Sequence, residues 1–373
     1  MSMRYGIRRR GRLAAAGVLT AAAVGSALVA APSAGAAAVH VVTPGHSIQR
    51  AVDSARPGDV VQIQPGTYRE SVLVTVPRLT IRGAGAQKVT LEPAAKPTAA
   101  TTTAATAKAA ASCFTTGAGI CVAGTDAKPV TGVRVQDLTV SGFAKYGIAA
   151  SGADRLTVTG VTARNNGMYG IGEQKSARAV FVGNRAAGNG EGGIFLANTT
   201  SEEGGALDLD GARVAGNVLT GNKMGVVLRR VRDMSVQGNS VSGNCAGMFI
   251  IGDENTPRAG DLTVRGNVVT DNTKYCAANT RLPFVQGAGI VLTGVENTVV
   301  ERNIVTGNSG TSVMSGGVVL FHSFVGVLNT GNTIRDNVLS DNAPADLADR
   351  DTTGTGNTFT GNSCSVSLPA GRC

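Results

Sequence analysis

The 373-residue chain has no tryptophan, three histidines and only 4% aromatic residues, and each shortage removes a class of function. Nucleic acids are held on basic surfaces interleaved with stacking rings. With few rings and no basic block beyond Arg12, nucleic-acid binding is a poor reading. Zinc and copper sites draw on converging His and Cys at close spacing. Here His40 and His46 stand near the start of the expected mature chain, His322 is isolated on a late repeat, and no two Cys have the x2 to x4 spacing of a zinc site. No metal site is therefore expected, and a copper-accessory role ranks low. The Gly-Gly-x-Gly-x-Asp pattern of calcium-binding coils is also missing, so the motifs indicate neither calcium nor any other cofactor. Beyond Ala31 no apolar run is long enough to span a bilayer, and no membrane association is expected once the leader is removed.

What the chain does have is a phrase of Asn, four residues, Asn. It reads Asn184-RAAG-Asn189, Asn217-VLTG-Asn222, Asn239-SVSG-Asn244, Asn267-VVTD-Asn272, Asn303-IVTG-Asn308, Asn337-VLSD-Asn342 and Asn357-TFTG-Asn362. The phrases begin 33, 22, 28, 36, 34 and 20 residues apart. A short unit that tolerates insertions is one coil of a solenoid. Alternating Val, Ile, Thr and Ser, closed by Gly-Asn or Asp-Asn, favour strands broken by tight turns. The expectation is a parallel β-helix. Coils stack roughly 4.8 Å apart, so one Asn at the same turn of each coil can bond the next through its amide. Asn also tolerates the left-handed backbone of a sharp bend.

A second phrase supplies another strand: Gly147-IAAS, Gly170-IGEQ, Gly193-IFLA, Gly225-VVLR, Gly247-MFII, Gly289-IVLT and Gly317-VVLF. Strand alternation turns the first and third residues after Gly inward. This gives two aliphatic columns (Ile148 to Val318, and Ala150 to Leu320) with one charged member, Glu173. Facing inward, its carboxylate would have a pKa raised by desolvation; Gly172 beside it favours the other geometry, a bulge that turns Glu173 outward. The second position (Ala149, Gly172, Phe195, Val227, Phe249, Val291, Val319) faces out, and its apolar character predicts cover by a loop more than an open sugar-stacking floor.

At the N-terminal end, Arg4, Arg8, Arg9, Arg10 and Arg12 precede an apolar stretch and two small-x-small sites (Ala34-Gly-Ala36, Ala36-Ala-Ala38), the pattern of a secretory signal over residues 1–38. Removing it takes away five of the 34 basic residues and none of the 25 acidic ones, so the formal charge falls from +9 to +4. Residues 39–373 then form a single domain. Ser47 can cap a helix in which Ile48, Ala51, Val52 and Ala55 share a face, a lid over the first core layer. Six Cys in an exported chain read as three disulfides. Cys113 with Cys121 and Cys364 with Cys373 are near in sequence, and the 364–373 tail would be closed by the second pair. Cys245 and Cys276 each follow a ladder turn on successive coils. Residues 93–130 interrupt the coils with an Ala/Thr/Pro-rich insertion.

The string SIQRAVDSARPGDVVQIQPGTYRES, together with the Asn coils, resembles the secreted pectate-lyase-like right-handed β-helix superfamily. That superfamily includes polysaccharide lyases, pectin methylesterases, alginate epimerases and the periplasmic nitrous-oxide-reductase accessory protein. The resemblance implies an all-β, right-handed parallel β-helix with a short N-terminal capping helix. It also implies action on, or binding of, an extracellular, acidic polysaccharide by a secreted monomer, with a lyase-like activity ahead of hydrolysis. The superfamily's Asp-His lyase motif, Arg-x-Pro-x-x-Arg and Asp-Pro-His are absent; the nearest string starts at Arg281 and ends in Gln286. No catalytic residue carries over, and fold alone does not give function.

Insertions at 199–210, 253–260 and 273–286 should wall a groove on the outer face of the Gly-led strands. A lyase or epimerase must neutralise a carboxylate, remove the neighbouring proton and protonate the leaving oxygen. The residues available for such work are Glu173, Lys175, Arg229, Arg230, Asp253 and Tyr275, with Gln174, Asn198, Glu254, Phe195 and Phe249 as substrate contacts. Opposed carboxylates for hydrolysis could come from Glu191, Glu202, Glu203, Asp253 and Glu254. The competing reading is a non-enzymatic binding module.

Overall fold

In the computed structural model, which describes residues 36–94, 117–199, 203–280 and 282–373, each coil lays down three short strands and then begins the next. One coil consists of Thr157–Thr159, Thr162–Arg164 and Tyr169–Gln174. The next pairs with it in parallel, Val158 beside Phe181, Ala163 beside Ala186 and Ile171 beside Ile194. Among the described residues the stacked strands make three long parallel sheets of twelve, ten and eleven strands. The third strand of each coil, led by the repeated Gly, belongs to the eleven-stranded sheet. The chain divides into Met1–Ala36 and Ala37–Cys373, and the coils belong to the second unit.

Both Asn of each phrase stack, so two ladders run along the coils. One passes through Asn184, Asn217, Asn239, Asn267, Asn303 and Asn337, each Nδ2 donating to the next Oδ1 at 2.9–3.0 Å. The other runs from Asn166 through Asn189, Asn222, Asn244, Asn272 and Asn308 to Asn342 at 2.8–3.2 Å. Asn217 shows why the amide suits the position. Its Oδ1 accepts from the backbone N and Nδ2 of Asn184, and its Nδ2 donates to Asn239 and to the Phe181 carbonyl. All four hydrogen-bonding positions of a fully buried amide are filled. The bend itself falls one residue earlier than expected. Gly183, Gly188, Gly216 and Gly221 hold φ between +61° and +66°, and Arg302 and Asp336 take the same left-handed conformation, which leaves the Asn side chain free to turn inward.

The last phrase sits one turn out of step. Asn357 stacks under Asn332 and Asn362 under Asn337, so the 20-residue interval is a shift of register and not a short coil. Asn342 instead donates to Asp346 Oδ1, whose other oxygen accepts from the backbone N–H groups of Ser365 and Val366. A carboxylate accepts without needing to donate, which fits the final rung of a ladder.

Inside the coils the two aliphatic columns form one continuous core with residues of the other two sheets. Over its N-terminal end lies the helix Ile48–Ser54, which buries Ile48 and Val52. Ser47 caps it, and Glu70, from beyond the following strands, accepts from the Ile48 and Gln49 N–H groups at 2.7 and 3.1 Å. Cys245 is bonded to Cys276, with Cα atoms 5.9 Å apart, and Cys364 to Cys373. Cys121 is disulfide-bonded; its expected partner Cys113, the residues 1–35 of the signal reading, and 95–116 of the expected 93–130 insertion lie outside the described residues, whereas Ala118–Ala123, expected within that insertion, is a regular strand of the eleven-stranded sheet. No helix among the described residues is long and apolar enough to cross a membrane.

Candidate functional site

The outward residues of the Gly-led strands are covered. Phe195, Val227, Phe249, Val291 and Val319 belong to a second apolar cluster on the outer side of the eleven-stranded sheet, closed by Val285, Met314 and Ala345 from the connecting loops. Where this cover parts, a groove of about 480 Å³ opens. Its floor is Phe195, Val227 and Phe249, in register on three successive coils. Glu191, Asn279 and Leu282 line the end where these strands begin, and Glu203, Arg229, Arg230, Asp253 and Glu254 line the end where they finish. Leu282 comes from the loop that the Cys245–Cys276 bond ties to a ladder turn. Ser323, Phe324 and Val325 complete the lining from a loop after the strand Gly316–Phe321.

The rim is a set of engaged charges. Arg230 is buried and pairs through Nε with Asp253 and through Nη2 with Glu203 Oε2 at 2.6 Å. Asn255 Nδ2 donates to both of those carboxylates, each at 3.1 Å. The Lys223 ammonium meets Glu191 at 3.2 Å. In contrast, Phe324 and Val325 are 54% and 60% exposed, although Phe324 rests on Phe321 with ring centroids 5.6 Å apart. Tyr169, which also lines the groove, stacks on Phe195 at 4.3 Å.

Of the residues singled out from sequence, the groove gathers Arg229, Arg230, Asp253, Glu254, Phe195 and Phe249, together with the carboxylates Glu191 and Glu203. Glu202 lies outside the described residues, and the rest lie elsewhere. Glu173 is the main correction: it pairs in register with Ala150 and Leu196, and no bulge forms at Gly172. It therefore points into the core, on the opposite side of the sheet from the groove. Both of its oxygens lack a hydrogen-bond partner among the described residues, and burial lifts its pKa to about 8. Gln174 bonds the Tyr146 phenol, which burial pushes above its ordinary range. Lys175 donates its backbone N–H to the Asn198 carbonyl, and the Asn198 side chain holds Gly205 at 2.6 Å. These contacts pin loops in place. Tyr275 is exposed and stacked on Phe284, outside the groove lining. Sequence reasoning missed Tyr169, Leu282, Phe324 and Val325. The signal available was the string His322-Ser-Phe-Val-Gly326, which sets apolar residues where a turn is expected. Among the described residues no group of three or more His, Cys, Asp or Glu could hold a metal ion.

The architecture is thus a parallel β-helix with a groove on the outer face of one sheet. Residues 118–324 match the family described as the right handed beta helix region, and the chain belongs to that family. Among solved structures it is similar to the A-module of mannuronan C-5 epimerase AlgE4 from Azotobacter vinelandii (15% identity, 88% of this chain and 95% of that one, TM-score 0.53). It is also similar to the Dettilon tailspike protein (13% identity, 87% and 67%, TM-score 0.52) and to DFA-IIIase from Arthrobacter chlorophenolicus A6 (14% identity, 84% and 86%, TM-score 0.50). At such identities the likeness is one of fold. Comparison with curated protein sequences gave no match.

Proposed function

We propose that this is an exported protein that holds an extracellular polysaccharide in the groove over Phe195, Val227 and Phe249. The observation that carries the reading is the exposed Phe324–Val325 pair at the mouth of a cavity whose rim is polar. An aromatic ring left half open beside hydrogen-bonding groups offers a sugar both an apolar face and partners for its hydroxyls. The mannuronan named for one structural relative and the disulfides, which form in oxidising compartments, support it.

Binding is favoured over uronate elimination or epimerisation. Those reactions need a cation directed at the substrate carboxylate and a base beside it, whereas Arg230 is engaged by Asp253 and Glu203. Affinity electrophoresis against a polysaccharide panel tests the reading. At least one polymer should retard the protein, and Phe324→Ala should weaken that binding about tenfold. An unaltered affinity in the variant would remove the groove from the site. Ultraviolet absorbance from unsaturated uronate ends would reveal a lyase in place of a binding module.

A further inference from the structure

We infer that the groove takes an uncharged polysaccharide and turns polyuronates away. The inference rests on the groove being a glycan site.

Among the described residues four carboxylates line the groove, Glu191, Glu203, Asp253 and Glu254, against two guanidiniums, Arg229 and Arg230. Arg230 lies between Asp253 and Glu203, so that cluster holds one positive charge and two negative ones. Lys223 offsets Glu191 from just outside the lining. Glu254, exposed at the same end of the strands as Arg229, cancels the remaining guanidinium in the count. The surplus is negative. A polyuronate carries a carboxylate on every sugar and meets this surplus at the rim, where Glu203 and Glu254 are exposed and the repulsion is strongest at low salt.

An uncharged sugar meets no such penalty. Its hydroxyls can donate to the carboxylates and accept from the guanidiniums, and neighbouring hydroxyl pairs match the two oxygens of a carboxylate. Its apolar ring face suits Phe324. Tyr169, Phe195, Phe249 and Phe324 line the cavity, Phe195 and Phe249 buried in its floor and Phe324 exposed at its mouth. Stacking and hydroxyl contacts would carry the affinity, with little contribution from net charge.

The test is affinity electrophoresis of the full exported protein in gels containing neutral glucan, galactan and fructan, alginate, polygalacturonate or chitosan, at about 20 and about 300 mM salt. The expected result is retardation by a neutral polymer that changes less than about twofold with salt, with both polyuronates at least about tenfold weaker. Preferential binding of alginate or polygalacturonate, weakening with salt, would overturn the inference and leave the glycan reading standing. Chitosan binding tighter than every neutral polymer would overturn it as well. Retardation by none of the polymers would remove the glycan reading, and the inference with it. As a second measurement, Glu254→Lys, an exposed change that spares the fold, should raise polygalacturonate affinity at low salt by about fivefold or more. No gain would show that charge does not decide the occupant.

Discussion

The two faces of one sheet bury their side chains for different reasons. On the strand Gly192–Ala197, Ile194 and Leu196 face the interior and Phe195 faces out, and all three are essentially inaccessible. The inner pair is covered by the coil itself, because three short strands around a tight circuit enclose whatever points inward. Phe195 is covered by Tyr169 and by loops that differ from coil to coil. Inner burial is a property of the repeat, and outer burial a property of the insertions. The groove opens on the side where cover is supplied piecemeal.

The sharpest way to break this contrast is Glu173, a charged residue placed on the uniform side. Because its pKa is raised to about 8 in the fold against an ordinary 4.5, the folded chain keeps a proton that the unfolded chain releases. Its contribution is complete below about pH 4.5 and is lost progressively up to about pH 8, on the order of 5 kcal/mol in all. Denaturant titrations should show stability falling as pH rises through that window. Glu173→Leu should remove that slope, raise stability at neutral pH and leave polysaccharide binding unchanged, since the residue faces away from the groove. A slope that survives in the variant would place its origin elsewhere.

Next in size is Leu228→Ala, which empties an inner position and should cost about 2–5 kcal/mol, whereas Val227→Ala on the adjoining outer position should cost less because the groove can admit water. Equal losses measured by urea unfolding would erase the distinction between the faces. Asn239→Ala breaks one rung in a ladder whose neighbours then lose partners, for about 1–3 kcal/mol. The smallest effect on stability belongs to Phe324→Ala. An exposed ring on a loop should change unfolding by no more than about 0.5 kcal/mol while binding falls about tenfold, a separation that calorimetry and electrophoresis together would show.

Much of the fold was legible in the residues, and less of the site. The alternation of Ile194, Phe195 and Leu196 and the capping helix after Ser47 follow from short-range patterns, and the ladder columns and the pairing of Cys245 with Cys276, 31 residues apart, from the period of the repeat. The slip at Asn357 was not visible, since Asn332-TIRD-Asn337 repeats the same phrase and shares Asn337 with the next. The expected bulge at Gly172 failed for a physical reason. A parallel strand held in register on both sides by Ala150 and Leu196 has no slack to insert a residue, so the carboxylate was carried inward and the cost fell on its ionisation instead.

By itself, the sequence determined a stack of coils, the side of each Gly-led strand that faces in, Glu173 apart, and, to within one residue, where the chain turns. Those features depend on alternation, on left-handed positions before each Asn and on identical neighbours one coil away. Only the tertiary structure decided that Arg230 would be clasped by Asp253 and Glu203, 23 and 27 residues distant, and that Phe324 would stand at the mouth of a groove floored by Phe195. Such partners come from insertions of unequal length. With no period to fix their offsets, only the stacking of the coils brings them together.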